Sequence, residues 1–276
     1  MMRKNKKISV IVLYIFLMAL AIIQITPLLA ALMNSLRTNA DIKKVAVAFP
    51  FHPQFSNFIK AWNIGGYFNA FTNSMLVSIF SSIVVLVFSI VGGYFLSRSN
   101  NKFSKYLLVY FGVSLSIPTF SFLVPLYYSF ANLNLINTHA GLILIYIAMN
   151  LPFNILLAST FISQIPMALD EAAIIDGCST YQVIRKIIFP LSKPVITTIL
   201  LISFVNTWNE FTLANTFLQK PELKTAATKY VLFVGERGSD LSMIYTAGII
   251  TMLPIVFLFF LLQKYFIDGM TSGSVK

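Results

Sequence analysis

Five stretches of the chain contain no Asp, Glu, Lys or Arg: those between Lys7 and Arg37, Lys60 and Arg98, Lys105 and Asp170, Lys193 and Glu210, and Asp240 and Lys264. A helix needs about 20 apolar residues to cross the hydrocarbon core of a bilayer. Lipid offers the backbone no hydrogen-bond partner, so such stretches must bond internally as helices. The third stretch has room for two spans, divided by "SFANLNLINTHAG", whose Asn, Thr, His and Gly residues suit a turn. The fold class expected is therefore all-α, a polytopic membrane bundle of about six transmembrane helices at approximately 9–33, 73–95, 106–129, 140–162, 193–213 and 243–264. Only 11% of the residues are charged, against about 25% in an ordinary soluble domain, which excludes a soluble globular class.

Six spans put both termini on one side. The stretch from Ile8 to Met33 is longer than the roughly 7–15-residue apolar region of a signal peptide, so it is taken as a retained first helix. Basic residues favour the cytoplasmic side and count most near span ends. With the N-terminus inside, Arg3, Lys4, Lys6, Lys7, Arg98, Lys102, Lys105, Arg185, Lys186, Lys193, Lys264 and Lys276 are cytoplasmic, a majority of the 20 Lys and Arg residues. The net charge of +11 then reflects topology. A nucleic-acid partner would need a soluble basic face with stacking aromatics, and none is evident. The single Cys178 forms no internal disulfide, and His52 and His139 lie on the other side from it, so neither a metal site nor a thiol nucleophile is expected.

Two outer segments are long. Residues 34–72 include "FPFHPQFSNFIKAW", whose aromatics suit the headgroup level. Residues 214–242 are polar enough to be solvated. Pro27, Pro118, Pro125, Pro152 and Pro254 fall within the spans, where each removes a backbone hydrogen bond and can kink a helix. No internal repeat relates the two halves, which argues against a secondary transporter built from inverted repeats.

The most informative segment is the interruption at 163–193, "SQIPMALDEAAIIDGCSTYQVIRKIIFPLSKP". Ser163 is a candidate cap and Pro166 a first-turn residue for a short helix whose Asp170 and Glu171 suit a helix N-terminus. Asp176-Gly177 reads as a stop and turn. Ser179 or Thr180 then caps a second helix ended by Pro190, with Ile184, Ile187 and Ile188 on one side and Arg185 and Lys186 toward another. Two readings fit these residues: a knob that docks in a groove of a cytoplasmic protein, and an amphipathic linker resting on the membrane surface.

The segment resembles the EAA loop of ABC-importer permeases. Glu171, Ala172, Ala173, Gly177, Ile187 and Pro190 stand in that pattern's spacing, with Phe189 where Leu is usual. "LPFNILLASTFISQIP", "WNEF" and the tail "QKYFIDGMTSGSVK" are similar to the maltose-type carbohydrate branch, and to the smaller of its two permease subunits; the likeness is strongest over about 115–276. The resemblance implies a single permease domain over 1–276, with 163–193 a cytoplasmic coupling loop, 214–242 an extracytoplasmic loop near the binding protein, and 265–276 a cytoplasmic tail. It implies that Glu171 meets the ATPase, that Ala172 and Ala173 allow close docking, and that Gly177, beside Asp176, turns the chain. The partners it implies are a second homologous permease, two ATPase subunits, an extracytoplasmic solute-binding protein, membrane lipid and a sugar substrate, in the cytoplasmic membrane of a bacterium. The chain carries no G-x-x-x-x-G-K-[ST] loop, so no cofactor is expected on it, and ATP with magnesium is assigned to the ATPase subunits.

Polar side chains within spans are candidates for the translocation pathway. In the fifth span these are Asn206, about 18 Å along the helix from Pro194, followed by Trp208, Asn209 and Glu210; in the fourth they are Asn150 and Asn154, flanking Pro152. Amides and a carboxylate beneath an aromatic ring suit a sugar, while helix packing accounts for the same residues equally well. Glu210 is expected near the outer mouth, hydrated, and not as a buried proton carrier. An ion-coupled carrier would want a midplane carboxylate, which is missing. A membrane enzyme would want a convergent catalytic set, yet Asp170, Glu171, Asp176 and Asp268 have no histidine beside them. An ABC importer for another small polar solute is the alternative reading.

Overall fold

A computed structural model describes residues 2–235 and 240–272, with side chains between 10 and 261. Every regular element among the described residues is helical. Four helices are long and apolar enough to cross a membrane alone: Val10–Ser35, Tyr67–Arg98, His139–Ile162 and Leu241–Leu261. Two bent pairs, Lys102–Ser114 with Thr119–Asn132 and Thr180–Leu191 with Lys193–Asn209, raise the number to six when each counts as one span. The chain divides into two compact units, Met1–Tyr67 with Lys229–Leu253, and Phe68–Thr228 with Pro254–Lys276.

In the first unit, α1 (Met2–Ser35) leads into two short helices, α2 (Asn39–Lys44) and α3 (Ser56–Gly65). The expected outer loop at 34–72 is thus partly helical, and side-chain amides hold it together. Asn34 Nδ2 donates to Ala46 O at 2.8 Å, and Asn57 Nδ2 donates to Ser35 O at 3.0 Å and Arg37 O at 3.1 Å. The Arg37 guanidinium donates to Asn34 Oδ1 and Asp41 O, both at 2.8 Å. Thr38 caps α2, and α3 stops at Gly66 with φ of 60°, a left-handed conformation open to glycine. Tyr67 is fully buried, stacked on Phe233, with its hydroxyl donating to Ala247 O at 3.2 Å. The most apolar window of α1 has none of its residues buried by the chain itself, so its apolar surface is left for lipid or another chain.

The second unit is built on α4 (Tyr67–Arg98), α5 (Lys102–Ser114), α6 (Leu123–Asn132) and α7 (His139–Ile162). The third expected span, 106–129, is not one helix. α5 and α6 meet at 91° across a break and the 3-10 turn Thr119–Phe122. Pro118 sits at that break in extended conformation, where it disfavours helix in the residue before it and has no N–H to extend α5. Pro125 lies in the first turn of α6, where its missing N–H matters least. Among the described residues, Pro27, Pro152 and Pro254 are interior to helices. The expected turn between the third and fourth spans is present, with Asn134 and Asn137 at φ of 56° and 58° and Thr138 capping α7.

α4 and α7 approach closely at Gly93, where a Cβ would lie 2.6 Å from Ala158 Cβ and 2.8 Å from Ser159 N. Around this crossing a core forms from Val85, Leu86 and Ile90, Ala158 and Ile162, and Val195, Ile196 and Ile199. Four residues of the 163–193 segment, Ile165, Ala173, Val183 and Ile188, belong to the same core.

That segment folds as α8 (Ala168–Ile175), α9 (Thr180–Val183), a π-helical turn over Ile184–Ile188 and α10 (Phe189–Leu191). Ser163 does not cap α8; it follows α7 and its hydroxyl donates to Thr160 O. Ser179 does cap α9, in a reciprocal box with Gln182. Pro190 does not end the second helix, which runs on to Leu191. The widened π turn precedes it instead, with Phe189 N–H reaching back to Ile184 O, so the ladder is already displaced where proline supplies no donor. At Ser192 the chain bends by 83° into α11 (Lys193–Asn209).

α11 ends at Asn209, short of the expected 213. The expected solvated loop at 214–242 contains most of α12 (Thr212–Phe217), a 3-10 turn at Pro221–Leu223 and α13 (Ala226–Gly235) before α14 (Leu241–Ser272). Within that range 236–239 lie outside the described residues, as do 273–276 of the expected tail.

Candidate functional site

Two places in the second unit carry the residues singled out from the sequence. The first is the 163–193 segment. Glu171, Ala172, Ile174, Ile175, Asp176 and Gly177 are exposed, whereas Ala173 is only 7% exposed and packs inward. The small-residue surface open to a partner is therefore Ala172, with Ile174 and Ile175 beside it. An Ile175 side chain that is 85% exposed next to a turn is poorly placed for water. Gly177 has φ of +84° and accepts no side chain without strain, although the space around it is open. Its N–H donates to Ile174 O at 2.9 Å and Cys178 N–H to Ala173 O at 2.9 Å, which closes α8. Ile187 is half-buried against the core and Pro190 is exposed.

Asp170, one residue before Glu171, reads from the sequence only as a first-turn acid, and the structure gives it a distant partner. Arg98, the last residue of α4, grips it with two hydrogen bonds, Nε to Oδ2 at 2.9 Å and Nη2 to Oδ1 at 3.2 Å. Both side chains are largely withdrawn from solvent, at 11% and 5% exposure.

The second place is a cavity of about 290 Å³ lined by Tyr146, Met149, Asn150, Val205, Asn206, Thr207, Asn209 and Glu210. It arises because α7 presents Tyr146, Asn150 and Asn154 at four-residue intervals on one face, and α11 presents its own polar residues opposite. Asn206 Nδ2 donates to Asn150 Oδ1 at 3.1 Å, and Asn154 Nδ2 donates to Ser203 Oγ at 3.2 Å. Asn150 and Asn154 also donate to the carbonyls one turn back, Tyr146 O and Asn150 O. Glu210 lies just past α11 in extended backbone and is held three ways: by the Tyr146 hydroxyl at 2.8 Å, Leu213 N–H at 2.8 Å and Ala214 N–H at 2.9 Å.

Four of the six pathway candidates, Asn150, Asn206, Asn209 and Glu210, line this cavity. Asn154 is fully buried behind it, with its Oδ1 unpartnered. Trp208 is elsewhere: it is 1% exposed, stacked on Phe204 at 5.7 Å and met edge-on by Phe71 at 5.5 Å. It is a core residue, neither a platform in the cavity nor an interfacial anchor. Tyr146 was missed because a tyrosine in an apolar run reads as packing; its signal was the 146, 150, 154 spacing. The cavity lining carries amides, hydroxyls and one carboxylate already occupied by three donors, and no cation. It can exchange neutral hydrogen bonds with a hydroxyl-rich solute.

The family model for the binding-protein-dependent transport system inner membrane component matches residues 87–272, which include both places. The chain belongs to that family. This transport component is 35% identical over 274 residues to the melibiose/raffinose/stachyose import permease protein MelC of Bacillus subtilis, covering 99% of this chain and 98% of that one. It is 31% identical over 251 residues to the sulfoquinovosyl glycerol transport system permease protein SmoH of Agrobacterium fabrum, covering 91% and 88%. A crystal structure of a bacterial ABC transporter involved in import of the acidic polysaccharide alginate contains a chain of the same fold, with TM-score 0.81 and 20% identity over 95% of this chain and 98% of that one. The fold is thus that of a multi-pass membrane transport component, and the transport component's breaks at Pro118 and Ser192 are departures from straight spans within it.

Proposed function

We propose that the chain is one of two permease subunits of an ATP-driven importer and forms half of the pathway for a sugar or oligosaccharide delivered by an extracytoplasmic binding protein. The observation that carries this reading is the exposed Glu171, Ala172, Ile174 and Ile175 surface, closed by the Gly177 turn and rooted in the core through Ala173, Val183 and Ile188, in a member of a binding-protein-dependent transport family. Rooting in the core favours the docking reading over the linker reading, because a linker lying on a membrane would bury its apolar side in lipid and not in its own bundle.

In this account ATP and magnesium belong to two ATPase subunits, into which α8 docks with Glu171 as the charged contact. Both termini are cytoplasmic and the 214–242 segment faces the binding protein. A neutral sugar is the substrate class favoured by the cation-free, amide-lined cavity and by the 35% identity to an importer permease for melibiose, raffinose and stachyose.

The test is quantitative mass spectrometry of the tagged chain purified in mild detergent, beside a Gly177→Pro variant, followed by uptake of neutral oligosaccharides into proteoliposomes. Near-stoichiometric recovery of an ATPase and a second permease, with the ATPase lost from the variant, is expected. A chain that purifies alone and transports without ATP overturns the importer reading; an importer that moves only non-sugar solutes overturns the substrate class.

A further inference from the structure

The Tyr67–Arg98 helix ends on a charge, and that charge is spent on one partner. Arg98 offers its planar fork to both oxygens of Asp170, at 2.9 and 3.2 Å. Such a pair fixes direction as well as distance. Asp170 lies in the first turn of α8, and the two side chains are 11% and 5% exposed, so water competes weakly for them. The Tyr94 hydroxyl, one turn earlier on α4, is an electrostatic neighbour of Asp170. Elsewhere α8 is held by Ala173 alone in the core, and its remaining residues are exposed. A short helix with one buried alanine could pivot about it; a second, directional tie at the other end prevents that.

We propose that Arg98 and Asp170 are positioning residues that lock α8 to the end of α4, so that force delivered to the Glu171 surface moves the spanning helix instead of rotating the loop. This rests on the docking role given to α8 above. A lysine at 98 would keep the charge and lose the fork, so it should restore part of the lock.

The test separates the lock from the docking. In a Cys178→Ser background, nitroxide labels at V91C and I174C, both on exposed positions, report the distance from α4 to α8 by pulsed electron resonance in lipid nanodiscs. A narrow distribution is expected for the otherwise unaltered chain, a broad one for Arg98→Gln and for Asp170→Asn, and an intermediate one for Arg98→Lys. Because a lone buried charge can itself disturb folding, Arg98→Leu with Asp170→Leu removes both at once, and should also broaden the distribution. In the reconstituted importer these variants should retain the ATPase subunits while transport per ATP falls roughly 2- to 30-fold, the usual range for a coupling contact. A distribution that stays narrow in the double leucine variant, or wild-type transport per ATP in the variants, overturns the proposal. A distribution broadened by the variants, together with no ATPase recovered even on the unaltered chain, would uphold the tie and sink the docking role instead.

Discussion

The Tyr146 hydroxyl donates a 2.8 Å hydrogen bond to Glu210 Oε2, joining the N-terminal third of α7 to the residue just past α11. The same carboxylate receives the N–H groups of Leu213 and Ala214, the otherwise unbonded donors at the start of α12. With three donors on two oxygens, Glu210 serves the architecture of the cavity wall.

That arrangement predicts coupling between the two residues. Tyr146→Phe leaves a charged acceptor one donor short and should cost about 1.5–3 kcal/mol, the range for hydrogen bonds to charged groups. Glu210→Ala should cost more, because two backbone donors lose their partner as well. Thermal unfolding of the purified singles and the double variant checks this: the double should be less harmful than the sum, and strict additivity would mean that the pair does not act together.

The crossing of α4 and α7 predicts intolerance at Gly93. A side chain there meets Ala158 Cβ at 2.6 Å and the backbone nitrogen of Ser159 at 2.8 Å, and backbone cannot step aside as a flexible side chain can. Gly93→Val should destabilise by about 1–3 kcal/mol, as overpacking generally does, and should lower the yield of folded protein. Gly112→Ala, with nothing within 4 Å, is the control expected to behave as wild type. Adding Ala158→Gly should relieve Gly93→Val only in part, since the Ser159 contact remains.

Gly177 separates backbone from packing requirements. Its surroundings are empty but its φ is +84°, so alanine fails by conformation alone and should cost about 1–2 kcal/mol. Asparagine tolerates the left-handed region better and should cost less than alanine. Proline cannot take positive φ and also removes the N–H that bonds Ile174 O. The order of ATPase recovery on the purified chain should therefore be glycine, asparagine, alanine, proline; equal recovery in all four would mean that the turn geometry is not what a partner reads.

Much of this was legible in the chain because lipid leaves few options. Charge-free windows placed the four single-helix spans to within about six residues but gave no sign that the other two are bent pairs, and Asp176-Gly177 and Ser179 marked the stop and restart of the interruption. What was not legible depended on side chains meeting across long separations. Arg98 and Asp170 are remote in sequence, and each read locally as a span-end cation and a first-turn acid. Pro118 and Pro152 look alike in an apolar run, yet one breaks the chain by 91° and the other lies inside an unbroken helix; the four-residue turn that follows Pro118, and not the proline alone, makes the difference. Trp208 illustrates the same limit, since a tryptophan between Thr207 and Asn209 near a span end suits an interface, and its burial against the rings of Phe204 and Phe71 reveals it as core.

Trp208 and Asn206 therefore separate by the kind of defect they produce. Trp208→Ala empties a site that is 1% exposed and should destabilise the chain by about 3–5 kcal/mol, as removal of a large buried aromatic does, with loss of folded protein and no selective effect on substrate. Asn206 lines the cavity, and its amide donates to Asn150 Oδ1. Asn206→Ala should leave the fold and the ATPase partnership in place while slowing uptake of a neutral oligosaccharide. Tenfold slowing would correspond to about 1.4 kcal/mol, the order of one hydrogen bond. Uptake rates normalised to folded, assembled complex check both at once. If Trp208→Ala folds normally and impairs uptake, the aromatic belongs to the pathway after all. If Asn206→Ala transports as well as wild type, the cavity between α7 and α11 is a packing feature and the substrate passes elsewhere.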